Sequence, residues 1–167
     1  MPVLQIDAEF LLRLMQRVFQ RSVPGVADEG GWWPAFTTNE QALETLVRAI
    51  ETAGLTPGSQ VAIALDVAAS EFGHGGKYCL ALEGKELDSE GMIRLLVGWL
   101  QRYPIVSIED PLAEDDALGF IELTREVGDR VQIVGDDFLV TQVSRVREAA
   151  IHGASNEVLL KPNRAAP

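Results

Sequence analysis

VAIALD at 61–66, IVSIE at 105–109, VQIVGD at 131–136 and EVLLK at 157–161 decide the fold, because each is a short aliphatic run that stops on an ionisable residue. The terminal residues are Asp66, Glu109, Asp136 and Lys161, and the last two steps between them are 27 and 25 residues long. About 25 residues hold one strand, one helix and two loops, which is the size of a βα repeat. Runs of Val, Ile and Leu without polar alternation read as strands buried on both faces, the pattern of a parallel sheet. In a barrel of such repeats the C-terminal strand ends share one face, and the chemistry sits there. The pattern therefore predicts an α/β chain in which three carboxylates and one amine meet.

The intervening segments carry helical signals. Ser89 to Arg102 turns Met92, Ile93, Leu96, Trp99 and Leu100 to one side and stops before Tyr103–Pro104. Further helices are expected near Asp116–Val127 and Gln142–His152, and a small hairpin between Tyr78 and Leu87 around Glu83–Gly84. Upstream, Asp7 to Arg21 shows an apolar stripe of Phe10, Leu11, Leu14, Met15, Val18 and Phe19. Val23 to Thr37 reads as a loop whose Trp32 and Trp33 should pack down out of water. Thr38 and Gln41 resemble a capping box before a helix with Leu43, Leu46, Val47 and Ile50 inward, ending at Gly54. Two helices therefore precede the first long strand, in one domain or a piece of one.

Composition bounds the function. At 167 residues and 47% hydrophobic content a real core is affordable, although a closed (β/α)8 barrel typically needs about 250 residues. Acidic residues outnumber basic ones 25 to 14, for a net charge of −11, so neither nucleic acid nor an anionic membrane is an expected partner. Cys79 is the only cysteine, which excludes an internal disulfide and suits a reducing compartment. The start, MPVLQIDAEF, lacks the basic and apolar regions of a signal peptide, so the expected location is the cytoplasm.

One aspartate at a strand end is more often the cap of the next helix than a ligand. Three carboxylates on successive strand ends are different: brought together they repel, and one must protonate unless a cation neutralises them. A hard divalent ion with oxygen ligands meets that need, and Mg²⁺ leaves coordination positions for water and substrate. Lys161 beside such an ion would have its ammonium form disfavoured, which suits a general base; the alternative is a structural ion pair with one of the carboxylates.

ALDVAASEF at 64–72, YPIVSIEDPLAEDD at 103–116, QIVGDDFLVT at 132–141 and DEGG at 28–31 resemble signature segments of the enolase (phosphopyruvate hydratase) family, over about Asp7 to Asn163. The resemblance implies a partial enolase-type (β/α)8 TIM barrel, with about four parallel strands preceded by two helices. It implies an incomplete C-terminal barrel domain over 1–167, without the N-terminal capping domain or the last two barrel units. It also implies a glycolytic Mg²⁺-dependent lyase acting on a small phosphorylated hydroxy acid, 2-phosphoglycerate, in a homodimeric parent protein, with the isolated fragment inactive. Asp66, Glu109 and Asp136 would then be the metal ligands, Lys161 the base and Glu29 of DEGG the general acid. Glu29, Glu109, Asp136 and Lys161 would meet the substrate. Without the resemblance, Glu29 reads as an exposed loop glutamate.

Two departures from the family pattern qualify these implications. Trp32 and Trp33 follow DEGG where smaller residues are expected, and Pro162 follows the lysine, where the family usually continues V-N-Q-I-G. They keep open a carboxyphosphonoenolpyruvate synthase of phosphonate-antibiotic biosynthesis, and an inactive remnant or binding module.

Overall fold

The structure, a computed structural model, describes residues 35–161 together with the backbone of two short strands at 25–26 and 32–33. The helix expected over Asp7–Arg21, the DEGG segment with Glu29, and the tail beyond 161 lie outside the described residues. The chain divides into two compact units, Met1–Ala62 and Ile63–Pro167.

In the first unit, β1 (Gly25–Val26) and β2 (Trp32–Trp33) pair antiparallel inside the stretch that the sequence reads as loop. Helix α1 (Asn39–Thr52) starts where the capping signal predicts. The Thr38 hydroxyl accepts the Gln41 N–H at 3.2 Å, and the Gln41 side-chain oxygen accepts the Thr37 N–H at 2.8 Å. The return bond of the capping box thus falls one residue earlier than the usual pattern. Leu43, Ala49 and Ile50 form the buried stripe, and Gly54 turns the chain away at φ 76°, a conformation glycine adopts without strain.

The second unit carries the βα repeats. Its order is β3 (Ile63–Asp66), β4 (Gly73–His74), β5 (Lys77–Leu80), β6 (Lys85–Asp88), α2 (Ser89–Arg102), β7 (Ile105–Glu109), α3 (Ala117–Val127), β8 (Gln132–Gly135), α4 (Val143–His152) and β9 (Glu157–Val158). Strands β3, β7, β8 and β9 form one parallel sheet in that order. The architecture is mixed α/β and fits a partial (β/α) barrel. The expected hairpin is β5–β6, and β4 extends it to a three-stranded antiparallel meander. Strand β9 is shorter than the expected 157–161, but the Leu159 N–H still donates to the Gly135 carbonyl at 3.2 Å and prolongs the ladder.

Local chemistry sets the helix limits. Asp88 caps α2 by accepting the Gly91 N–H at 2.8 Å, and Asp116 caps α3 by accepting the Gly119 N–H at 3.0 Å. The Tyr103–Pro104 pair stops α2, as a residue before proline is pushed out of the helical region. Asn156 braces the opposite end of the sheet: its side chain accepts the Ile133 N–H at 2.7 Å and donates to the carbonyls of Gly128 and Val131 at 2.8 and 2.9 Å.

Burial of the strands is one-sided among the described residues, which corrects the expectation of strands covered on both faces. Ile108 and Ile133, paired across β7 and β8, are fully buried with Phe120, Leu123 and Val127 of α3 and Leu96 of α2. The alternate residues Ala64 and Gln132 are exposed and Ser107 half-buried, because strand side chains alternate and the helices cover one face. Asp66 and Glu109 belong to this second, more open face. No helix among the described residues is long and apolar enough to cross a membrane.

Ile108→Ala is expected to lower unfolding stability by about 2–5 kcal/mol, the range for truncating a fully buried aliphatic side chain. Leu118→Ala, on a residue 80% exposed, should stay within about 0.5 kcal/mol. Urea titrations of both variants check the contrast; equal losses would mean that β7 is not the centre of the core.

Candidate functional site

Register brings the acidic strand ends together. Asp66 is the Cα partner of Glu109, and Glu109 is the partner of Val134, two residues before Asp136. Lys161 follows β9, whose Glu157 pairs with Val134. All four ionisable residues therefore lie at the C-terminal ends of adjacent parallel strands. Lys161 Nζ forms an ion pair with Asp136 Oδ2, the pairing that the sequence offers as an alternative to a free base. Its backbone N–H also donates to Thr141 Oγ1 at 3.2 Å, which fixes the chain at the mouth of the site.

Glu109, Asp110 and Asp136 offer carboxylate oxygens that all lie within 4.8 Å of one another. Asp66 is outside that tight group, yet near enough for its charge to act on Glu109. Asp66 Oδ1 accepts the Ala68 N–H at 3.1 Å, a local turn that holds the carboxylate against its own loop. Asp110 is buried and accepts the backbone N–H groups of Asp136 at 3.0 Å and Asp137 at 2.8 Å.

The electrostatics follow from this crowding. Burial pushes the Glu109 carboxyl above its usual range, and the charges of Asp66, Asp136 and Asp110 push the same way, while Lys161 opposes them. Partial desolvation at the strand end raises Asp66 although the residue is exposed; its bond from Ala68 pulls back, Asp136 and Asp137 raise it further, and Lys161 lowers it. Burial raises Asp110 too, partly offset by backbone N–H groups of Asp137, Asp136 and Phe138. An all-oxygen, anionic donor set in which carboxylates disfavour one another's charge suits a hard divalent cation such as Mg²⁺. The residues present fit that ion.

Backbone strain marks the same end of the sheet. Among the described residues, the non-glycine positions with positive φ are Ala68 (45°), Asp110 (39°), Val140 (44°) and Thr141 (55°). Each lies in a loop that follows β3, β7 or β8. Such outliers persist only where surrounding contacts over-determine them, and they concentrate at functional sites.

A buried clamp fixes the loop between β7 and α3. The Tyr78 hydroxyl donates to Asp116 Oδ2 at 2.7 Å and accepts the Ala113 N–H at 3.1 Å, while Ser89 donates to the same aspartate oxygen at 2.5 Å. Tyr78 is fully buried, and burial followed by its bond to Asp116 drives its hydroxyl far above the usual range. Sequence reasoning singled out neither Asp110 nor Tyr78. The one available signal for Asp110 was the doubled acid in IEDP, whereas Tyr78 and Asp116 are 38 positions apart. Glu29 lies outside the described residues.

A family model described as "Enolase, C-terminal TIM barrel domain" matches residues 5–166. The chain is also 46% identical over 139 residues to "Enolase 2" of Pseudomonas syringae pv. syringae (strain B728a), and equally to "Enolase 2" of Pseudomonas syringae pv. tomato (strain ATCC BAA-871 / DC3000). Each alignment covers 83% of this chain and 33% of the relative, so the chain spans about a third of the length of the curated relatives it matches.

The raised Glu109 carboxyl yields a signed prediction. A carboxyl whose folded pKa exceeds its unfolded value of about 4.3 weakens the fold above that value and costs nothing once protonated in both states. In the presence of a chelator, Glu109→Gln should therefore be more stable than wild type at pH 7, with the gap closing as pH falls toward 4. Thermal melts across that range test it; a gap that widens on acidification would mean that the site favours the ionised carboxylate.

Proposed function

The chain belongs to the enolase family, matching its C-terminal TIM barrel domain, and on that premise we propose that it supplies the metal- and proton-handling residues of a Mg²⁺-dependent lyase that dehydrates 2-phosphoglycerate to phosphoenolpyruvate. The observation that carries this reading is the meeting of Asp66, Glu109, Asp136 and Lys161 at the ends of four hydrogen-bonded parallel strands.

The chemistry explains the residue types. A proton alpha to a carboxylate is weakly acidic because its removal adds negative charge to a group already anionic. Asp66, Glu109 and Asp136 would hold Mg²⁺, which when bound offsets that charge. Lys161 is the amine within reach: it takes the proton, and the electron pair of the broken C–H bond enters the new C–C double bond as hydroxide departs. Glu29, by resemblance to the family motif, gives that hydroxide a proton, so the elements of water leave and the acid and base exchange roles on return. The ion pair with Asp136 holds Lys161 as an ammonium beside a proposed metal ligand; a cation taken up by Asp136 would weaken that pair and favour the neutral amine that a base requires.

In the protein that carries this segment, Lys161→Ala should abolish exchange of the substrate's alpha proton with solvent. Glu29→Gln should preserve exchange and stop dehydration, since it removes the acid and keeps the base. Asp136→Asn should remove most of the Mg²⁺ affinity, measured by calorimetry. Proton exchange by NMR and product absorbance separate the first two. Equal loss of both activities in both variants would show that the roles are wrongly divided. A purified protein that binds Mg²⁺ but leaves 2-phosphoglycerate unchanged would overturn the substrate and leave the family standing.

A further inference from the structure

We propose that Asp110 is a positioning residue: it takes no place on the metal, and its carboxylate fixes the backbone that carries Asp136 so that Asp136 and Glu109 can share one cation. The inference rests on the metal reading above. Distance alone would make Asp110 as good a ligand as its neighbours, since the oxygens of Glu109, Asp110 and Asp136 all lie within 4.8 Å of one another. Its hydrogen bonds assign it another task. Oδ1 accepts the Asp136 N–H at 3.0 Å and Oδ2 accepts the Asp137 N–H at 2.8 Å, so both oxygens serve the loop after β8. Asp110 is only 4% exposed, and turning it toward a cation would leave buried N–H groups without an acceptor, which is costly.

The main chain of Asp110 serves the same end. Its N–H donates to the Val134 carbonyl at 3.0 Å, and its carbonyl accepts the Ala69 N–H at 3.1 Å. One residue thus ties the loop after β3, the end of β7 and the loop after β8. It does so at φ 39°, where an L-residue is strained, and these cross-strand bonds hold it there. Partners that orient metal ligands from outside the coordination sphere typically change affinity by about 10–100-fold when removed. Asp110 differs from the usual case in acting on the backbone of a ligand, through Asp136 N–H, rather than on the ligand's side chain.

The test is a Mn²⁺ titration followed by electron paramagnetic resonance on the 167-residue chain as wild type, Asp110→Asn, Asp136→Asn and the double variant, with circular dichroism to confirm folding. Asparagine keeps one acceptor and turns a donor toward the second N–H. The expected result is a loss of about 10–100-fold in affinity for Asp110→Asn, and less than about 2-fold further loss when Asp136 is already Asn, because the effect runs through that residue. Unchanged affinity in a folded Asp110→Asn chain, or an equal loss in the Asp136→Asn background, would overturn it. A second measurement needs no variant: in wild type, Mg²⁺ should shift the carboxyl carbon resonances of Glu109 and Asp136 and leave that of Asp110 in place. A comparable shift at Asp110 would make it a ligand and end the proposal. A wild-type chain that takes up no Mn²⁺ would overturn the metal reading first, and this inference with it.

Discussion

Repulsion among carboxylates gathered at one end of a parallel sheet is the constraint around which the second unit is arranged. The register that makes Asp66 the partner of Glu109 leaves no freedom to separate them, and Asp136 lies two residues beyond the partner of Glu109 on the next strand. Burial raises the pKa of Glu109 and partial desolvation that of Asp66, and neighbouring charges add to both. The surroundings answer with positive charge or its equivalent. Lys161 pairs with Asp136 and lowers both of the other carboxyls, and backbone N–H groups hold Asp110. The divalent cation proposed for the site would complete the same compensation more strongly, since two charges would act from within the cluster rather than one from its edge.

Strain is distributed to match. Ala68, Asp110, Val140 and Thr141 adopt left-handed backbone in the loops after β3, β7 and β8. Each such residue costs about 1–2 kcal/mol relative to ordinary conformations. Bonds between the loops sustain them: Ala69 N–H to the Asp110 carbonyl at 3.1 Å and Lys161 N–H to Thr141 Oγ1 at 3.2 Å. The opposite end of the sheet is relaxed by comparison, with Asn156 satisfying three backbone groups from one side chain. The left-handed residues thus gather at the end of the sheet that carries the carboxylates.

The sequence yielded the parts of this arrangement that depend on neighbours along the chain. Aliphatic runs that break off at Asp66, Glu109, Asp136 and Lys161 locate strand ends because buried strands cannot carry a charge in their middle. Helix α2 has its expected limits, since Asp88 at its start and Tyr103–Pro104 at its end act within one turn. Features that depend on distant partners were not readable. Asp110 and Asp116 look alike in SIEDPLAEDD, yet one serves backbone groups 26 and 27 positions away while the other accepts a tyrosine hydroxyl 38 positions back. One-sided burial is hidden in the sequence for a similar reason. Val, Ile and Leu runs report that a strand is apolar, not which of its faces the helices cover, and Ala64 in β3 and Gln132 in β8 are exposed.

The meander β4–β6 shows why such distant contacts matter to a site built from strand ends. A plain βα repeat needs only a loop between β3 and α2, but here that connection folds back and grips the loop after β7. Tyr78 uses its hydroxyl in both directions, toward Asp116 and from Ala113, so phenylalanine could fill the space and still leave both partners short. Asp115 accepts the Gly75 N–H at 3.0 Å and pairs with His74, and Ser70 accepts the Glu114 N–H at 2.9 Å. The loop that begins at Asp110 is therefore held along its length before any ion binds. That rigidity has a physical purpose. Ligands free to separate would relieve their repulsion by moving apart, and a cation would then have to order them on binding. Carboxylates fixed by the fold keep their repulsion, and a cation of the kind proposed would release it on binding, which would convert stability lost by the fold into affinity for the ion.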